Sequence, residues 1–323
     1  MSDDTNARHD YQPPRREQTL TEQTDDVRLE PPPDAAKPRT LAGDAWYDLR
    51  HNAVFWISAV ILFAVAGMVL FPGLLGNAER TSSLSGGCDL SNSLLPPSSR
   101  YWFGTDQQGC DVYSLSIFGA RPSVMVGVIA ALVTTLVGAF IGLIAGFYGN
   151  WVDSLISRIV DIFYGLPLVV VGIAALSAIS LPGIWGVVLV LCLLGWVSAA
   201  RMVRAQTIEA KEQDYTTAAR ALGASNPRIM LRHILPNAIG PSIVLAVISL
   251  GGFIAAEATF TFLGLGIRPP EFSWGTIIAE SQSVFFQAPW TLLFPAAFLS
   301  ITVLAFILLG DAVSEALDPK LRR

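Results

Sequence analysis

Long apolar runs alternate with short polar stretches over most of this 323-residue chain. Residues 53–71, 124–147, 162–181, 183–200, 238–266 and 292–310 are predominantly apolar and close to the length a membrane helix needs. At 1.5 Å per residue, crossing roughly 30 Å of hydrocarbon takes about 20 residues. Only one run carries a full charge in its interior, Glu257. The pattern predicts an all-α membrane protein with six transmembrane helices. Two interruptions are long: residues 72–118 between the first and second helices, and residues 201–236 between the fourth and fifth.

Local signals refine this reading. Pro167 lies in the third run and Pro122 just ahead of the second, where proline kinks or starts a helix. Gly138, Gly142 and Gly146 fall at i, i+4 and i+8, one helix face on which a neighbouring backbone can approach closely. That face predicts an internal packing seam, with a contact to a second membrane subunit as the alternative. Glu257 is a functional candidate by default, since an acid inside an apolar helix is costly. It either lines a translocation path or is hydrogen-bonded between helices, with somewhat more weight on the second.

Composition supports lipid as the solvent. Charged residues make up 15% of the chain, against about 25% in soluble domains. The net charge of −5 is uneven: residues 1–45 hold ten acids and six bases, so the remainder sums to only −1. That Pro-rich segment, with Pro31-Pro32-Pro33 at its centre, is too poor in large apolar side chains to offset its ordering entropy. It reads as a disordered cytoplasmic tail, with residues 46–323 forming the membrane domain. No apolar core lies near Met1, so the first run reads as an uncleaved signal anchor.

Basic residues set the expected orientation. Arg201, Arg204, Lys211, Arg220, Arg228 and Arg232 crowd the second interruption; Lys320, Arg322 and Arg323 close the chain; Arg158 sits in the second-to-third connection and Arg50 before the first helix. Six crossings put all of these, and both termini, on the cytoplasmic side. The 72–118 loop is then extracytoplasmic, where disulfides persist. It contains Cys88 and Cys110, whereas Cys192 lies in an apolar run. A disulfide is the favoured reading and two free thiols the alternative; no histidine accompanies them, so no metal site is expected.

The 201–236 interruption is a helical handle. Asp214 is the expected N-cap, and Tyr215, Ala218, Ala219 and Leu222 recur at helical spacing as one apolar face. Gly223 follows where a left-handed residue ends a helix. A second short helix is expected to open with Asn226 as cap and Pro227 in its first turn, and Pro236 to break the chain before the fifth span. An amphipathic helix lying on lipid is the plainer alternative, but it leaves the spacing of Ala218, Ala219 and Gly223 to Pro236 unexplained.

That spacing resembles the EAA loop of bacterial ABC importer permeases, whose pattern is Glu-Ala-Ala, three residues, Gly, nine residues, then Ile-x-Leu-Pro. Here Thr217 stands in place of the Glu and His233 in place of the Ile. The resemblance extends from about residue 50 to the C-terminus: Phe103-Gly104-Thr105-Asp106, Gly109-Cys110-Asp111-Val112, Gly119-Ala120-Arg121, Ala256-Glu257-Ala258, Phe262 to Gly266, Ser273-Trp274-Gly275, Leu309-Gly310-Asp311 and Leu317-Asp318-Pro319. Their order is similar to the second, C-type membrane subunit of the oligopeptide, dipeptide and nickel importers. Cys110 occupies a position where that family commonly has Arg, which favours pairing with Cys88.

The resemblance implies a subunit of the bacterial cytoplasmic membrane that works as a heterodimer with a second permease, two ATPases and an extracytoplasmic binding protein. Asp214, Tyr215, Thr217, Ala218, Ala219, Arg220, Leu222, Gly223 and Pro236 would couple it to the ATPases, with Glu209, Glu212 or Arg220 supplying charge that Thr217 lacks. ATP and Mg would sit on the partners, because no Gly-x4-Gly-Lys-Ser/Thr loop occurs here; no cofactor and no nucleic acid is expected on this chain. Peptide is the preferred substrate over nickel, since no His, Cys or carboxylate cluster marks a metal route. An intramembrane enzyme finds no paired acids or His-Glu-x-x-His in the sequence, and an ion-coupled secondary transporter has only Glu257 to support it.

Overall fold

The computed structural model describes residues 41–81, 87–179, 181 and 183–317. The chain divides into Met1–Gly43 and Asp44–Arg323, and the account below concerns the second unit. The expected disorder of residues 1–40, the basic cluster Lys320, Arg322 and Arg323, and the Asp318-Pro319 motif lie outside the described residues. Residues 41–45, assigned above to the tail, belong instead to a helix, α1 (Leu41–His51). Its Leu41, Ala42, Ala45, Trp46 and Leu49 recur at helical spacing, which is enough for helix to win over tail.

Five helices are long and apolar enough to cross a membrane. They are α2 (Ala53–Leu70), α3 (Val112–Tyr148), α6 (Ile184–Lys211), α8 (Gly240–Phe262) and α10 (Trp290–Leu317). A sixth candidate is a bent pair, α4 (Asn150–Tyr164) and α5 (Leu168–Ala178), which meet at 88° as a broken span or a re-entrant loop. A short α7 (Asp214–Ala221) lies between α6 and α8, and α9 (Trp274–Ser281) between α8 and α10. Among the described residues there is no β-strand, only one isolated bridge between Thr105 and Asp111.

Several expected boundaries move. The third apolar run was expected to be one helix over residues 162–181. Instead Gly165-Leu166-Pro167 breaks it, because Pro167 offers no amide and excludes α geometry at Leu166. Arg158, expected in a connection, is helical within α4, because the turn between α3 and α4 is Gly149 alone, at φ +64°. The second helix starts at Val112, not near residue 124, so the outer loop ends at Asp111. The Asp111 carboxylate accepts from the Tyr113 and Ser114 amides (3.3 and 3.4 Å) and from the Ser114 hydroxyl at 2.7 Å, a cap that apolar counting does not register. Pro122 is consequently inside α3. The fourth helix runs past its apolar stretch to Lys211, and the fifth stops at Phe262 because Gly264 turns at φ +80°.

The close pairing of α3 with α6 organises the rest. A Cβ at Gly138 would lie 2.5 Å from the Trp196 carbonyl and 2.7 Å from Ala199 Cβ; at Gly142 it would meet the Ala200 carbonyl; at Gly146, Thr207 Cβ at 2.7 Å. The three glycines therefore face the α6 backbone within this chain. At 37 residues, α3 is roughly 55 Å long and outlasts the hydrocarbon it crosses. Its excess at one end carries the 72–111 loop; at the other, Leu143 and Phe147 reach the polar segment between α6 and α8.

A leucine at position 142 has nowhere to go without parting two backbones. We expect Gly142→Leu to lower stability by about 2–3 kcal/mol, the range for overpacking a filled interior. Gly73→Ala, with nothing within 4 Å of its new methyl, is expected to change little. Thermal unfolding in detergent checks both.

Candidate functional site

The polar segment between α6 and α8 is mounted on the membrane helices along one side only. Ala219, Ile229, Met230, Ile234 and Ala238 are buried together with Ala139, Leu143 and Phe147 of α3 and Val203 and Ala210 of α6. Thr216 is also buried, and its hydroxyl donates to the Ala210 carbonyl at 2.8 Å, tying α7 to the end of α6. The opposite side of α7 is uncovered: Tyr215 and Ala218 are exposed and Leu222 is 88% exposed. Thr217, Arg220, Glu209 and Glu212 are exposed as well.

This splits the apolar face expected above. Tyr215, Ala218 and Leu222 share the free side, but Ala219 belongs to the mount, and Thr216 joins it. A 3.6-residue period places four positions on one broad face, yet cannot say where the boundary between two coverings falls. The capping expectations also shift by one residue. Gln213, not Asp214, is the N-cap of α7, and Asp214 occupies its first turn, where a carboxylate suits the helix dipole. Ser225, not Asn226, precedes the Asn226–Ile229 turn.

Gly223 ends α7 at φ +81°. Its amide donates to the Arg220 carbonyl and that of Ala224 to the Ala219 carbonyl, at 3.0 and 3.1 Å. These are the two bonds of a Schellman stop. Pro236 does not break the chain. Residues Met230–Ile234 widen into a π-helical turn in which the Leu235 amide donates to the Met230 carbonyl, and helix resumes at Leu235–Ala238 with Pro236 in its first turn. The widened turn accommodates a residue that has no amide for the usual bond four positions back.

Ion pairs brace the base of this assembly. Arg204 of α6 grips Asp153 of α4 with two bonds, of 2.5 Å (Nε–Oδ1) and 2.7 Å (Nη2–Oδ2). Arg201 bonds Asp161 at 2.8 Å and stacks over Tyr164 at 3.9 Å. Partly exposed pairs of this kind stabilise by at most about 1 kcal/mol each; their use here is to fix the orientation of α4 ahead of the 88° bend.

Glu257 lies at the far end of α8 and is fully buried. Its carboxylate accepts from Ser123 of α3 at 2.9 Å, Thr261 at 2.8 Å and Ser273, the cap of α9, at 2.8 Å. Ser123 in turn accepts from the Trp274 amide at 3.2 Å, and the Trp274 indole donates to the Ser116 carbonyl at 2.8 Å. Glu257 is thus the hub joining α3, α8 and α9, the interhelical one of its two expected roles. Ser123, Thr261 and Ser273 are isolated hydroxyls in sequence, and no spacing signals that they converge.

The outer loop is built on its motif residues. Phe103 stacks on Phe294 of α10 with centroids 4.0 Å apart. Gly104 turns at φ +73°, and a Cβ there would lie 2.5 Å from the Leu95 carbonyl. Cys88 and Cys110 are joined by a disulfide with Cα atoms 4.4 Å apart. Asp106 accepts from the Gln108 and Cys110 amides (2.9 and 2.8 Å); burial raises its pKa, and these amide bonds pull it back in part. Burial also raises that of Glu280 on α9, with the Asp106 charge adding to the effect.

Two expectations follow from these geometries. Removing the hub with Glu257→Ala leaves three buried hydroxyls without their acceptor and should destabilise by about 3 kcal/mol; Glu257→Gln, which keeps an acceptor oxygen, should cost distinctly less. A path-lining role would instead reduce transport with stability unchanged. For Glu280, a carboxyl pKa raised on folding means stability is greatest below the ordinary carboxylate range and falls as pH rises through the folded pKa. Melting temperature should therefore decline on leaving that range upwards, and Glu280→Gln should flatten the decline.

Known proteins extend this geometry. The family described as binding-protein-dependent transport system inner membrane component matches residues 138–323. The dipeptide transport system permease protein of Bacillus subtilis (strain 168) is 38% identical over 282 residues, covering 87% of this chain and 86% of that protein. The oligopeptide transport system permease protein of the same organism is 35% identical over 288 residues, covering 89% and 92%. A solved structure of the inward-facing MetNI methionine ABC transporter shares the fold, with a TM-score of 0.52 at 20% identity over 63% of this chain and 96% of that one. A family match over more than half of the chain, and relatives this similar along nearly all of it, lead to one assignment: this multi-pass membrane protein belongs to the inner membrane components of binding-protein-dependent transport systems.

Proposed function

We propose that this chain is the peptide-translocating permease subunit of an ATP-driven importer, driven through α7. The observation that carries the reading is the two-sided mounting of that helix. Ala219 and Thr216 anchor it to α3 and α6, while Tyr215, Ala218 and Leu222 stand uncovered beside the basic and acidic side chains of Arg220, Glu209 and Glu212. Exposed apolar side chains ringed by charge suit a soluble partner. An ATPase that moved this face would pull directly on two membrane helices, biasing two global states of the transporter by its differential contacts.

The basic residues around α7 support a cytoplasmic position for this face and for both termini, on the side where ATP is. The remaining partners are a second permease, a second ATPase and an extracytoplasmic binding protein, with ATP and Mg held by the ATPases. Peptide is favoured as cargo because the relatives matched over most of the chain are named for dipeptide and oligopeptide transport; nickel is the competing cargo.

Vesicles carrying this chain with its co-encoded partners, and ATP on the ATPase side, test the reading with labelled peptides and nickel offered in parallel. Peptide uptake is expected. Leu222→Asp, at a position too exposed to affect folding, should cut it at least about tenfold, as loss of an interface anchor does, with the melting temperature unchanged. Undiminished uptake would remove α7 as the coupling element, and nickel uptake alone would move the cargo to metal.

A further inference from the structure

The break between α4 and α5 sits beside an open cleft of about 310 Å3 lined by α4, α5, α6 and α8. Leu166 and Leu168 flank it at the break, Ser198 and Gly195 face it from α6, and Ser249 and Gly252 from α8. No charged side chain lines it.

Three features make this cleft a poor place for lipid. The first concerns hydroxyls. Thr134, Ser177 and Thr259 on the spans donate to the carbonyl four residues back, at 2.7–2.8 Å, and so present little polarity outward. Ser198 and Ser249 donate to no acceptor among the described residues, as is true of Ser58, Thr207, Ser242 and Thr302, but those four are buried whereas Ser198 and Ser249 open onto the cleft. The second concerns backbone. The amides of Leu168, Val169 and Val170 open α5 with no cap and no acceptor among the described residues; the first bond is Val171 to Pro167 at 3.0 Å. Backbone amides without a helical partner are costly against lipid and persist where protein or water can satisfy them. The third is space. A Cβ at Gly252 would meet nothing within 4 Å, whereas one at Gly195, a turn away on α6, would strike the Phe253 ring at 2.6 Å. Gly195 is small for packing; Gly252 borders open volume.

We propose that this cleft is the part of the translocation path contributed by this chain, where Ser198 and Ser249 exchange hydrogen bonds with the main-chain amides of a passing peptide. Gly252 leaves room for its side chains. A hydroxyl both donates and accepts, so it serves peptide N–H and C=O groups alike, and an uncharged lining imposes no preference among side chains. Glu257 has no part in this path, because its carboxylate is fully buried and already accepts three hydrogen bonds. The inference rests on the peptide-importer reading and extends it to named residues.

Single cysteines test it in the assembled importer. Cys192, the one free thiol among the described residues, is first replaced by Ala. Ser198→Cys, Ser249→Cys and Gly252→Cys are then compared with Phe63→Cys, which lies 82% exposed on α2. A charged, membrane-impermeant thiol reagent should label the cleft positions at least about tenfold faster than position 63, as expected of an aqueous lining against lipid. Transported peptide with ATP should slow that labelling, and Gly252→Trp should abolish peptide uptake in complexes that still co-purify with their partners. Cleft cysteines as unreactive as position 63 in every nucleotide state would overturn the proposal. So would labelling indifferent to peptide, or wild-type uptake by Gly252→Trp. If Gly252→Trp does not assemble, peptide protection of the two serine positions decides alone. An unmodified importer that takes up no peptide would refute the functional reading instead, whereas one that imports peptide past an inert cleft refutes only this inference.

Discussion

Close approach of two backbones, α3 against α6, is the constraint on which the remaining structure depends. In lipid there is no hydrophobic drive between helices, so association comes from packing and from interhelical hydrogen bonds. Gly138, Gly142 and Gly146 supply the packing by letting α6 carbonyls and Cβ atoms sit where side chains would stand. With that seam closed, Leu143 and Phe147 of α3 and Val203 and Ala210 of α6 come together as a platform. The polar segment that carries α7 is built on this platform. Had α3 and α6 been held only by large interlocking side chains, their inner ends would lie further apart and Ala219 would have no seat.

The opposite ends of the same helices are held by different physics. There the Glu257 carboxylate gathers hydroxyls from α3, α8 and α9, and the Trp274 indole bonds back to α3. A buried carboxylate is favourable only when its acceptor capacity is used, and three short donors use it. The outer loop is likewise organised by polar and aromatic detail, with Phe103 on Phe294, the Asp111 cap and the Cys88–Cys110 bridge. One end of the protein is therefore pinned by specific polar contacts, and the other is packed through small residues and left with a free face. Such an arrangement suits a rigid body moved from its packed end.

The bent pair of α4 and α5 adds an irregular break beside α6 and α8. The chain turns by 88° at Gly165-Leu166-Pro167, and the ion pairs Arg204–Asp153 and Arg201–Asp161 tie α4, the limb ahead of the bend, to α6. The break also uncovers the amides that open α5, beside the hydroxyls of Ser198 and Ser249. Coupling face and cleft are linked through α6, which carries Ser198 and, further along, the Ala210 carbonyl that anchors Thr216.

Much of this was legible in the sequence, for reasons that are local. Apolar length decides which segments can enter lipid, so the spans were evident, and Gly223 announced its left-handed stop because only glycine adopts that geometry without cost. The glycine triplet marked one face of α3, and Pro167 marked the bend, because spacing and ring closure act within a single helix. Tertiary structure decided what lay against each of these. It selected α6 as the partner of the glycines and converged Ser123, Thr261 and Ser273 on Glu257 from positions up to 150 residues apart. It also divided the α7 face between Ala219, which is packed, and Leu222, which is not. Periodicity reports that a face is apolar; only the neighbours present in three dimensions determine whether that face is covered.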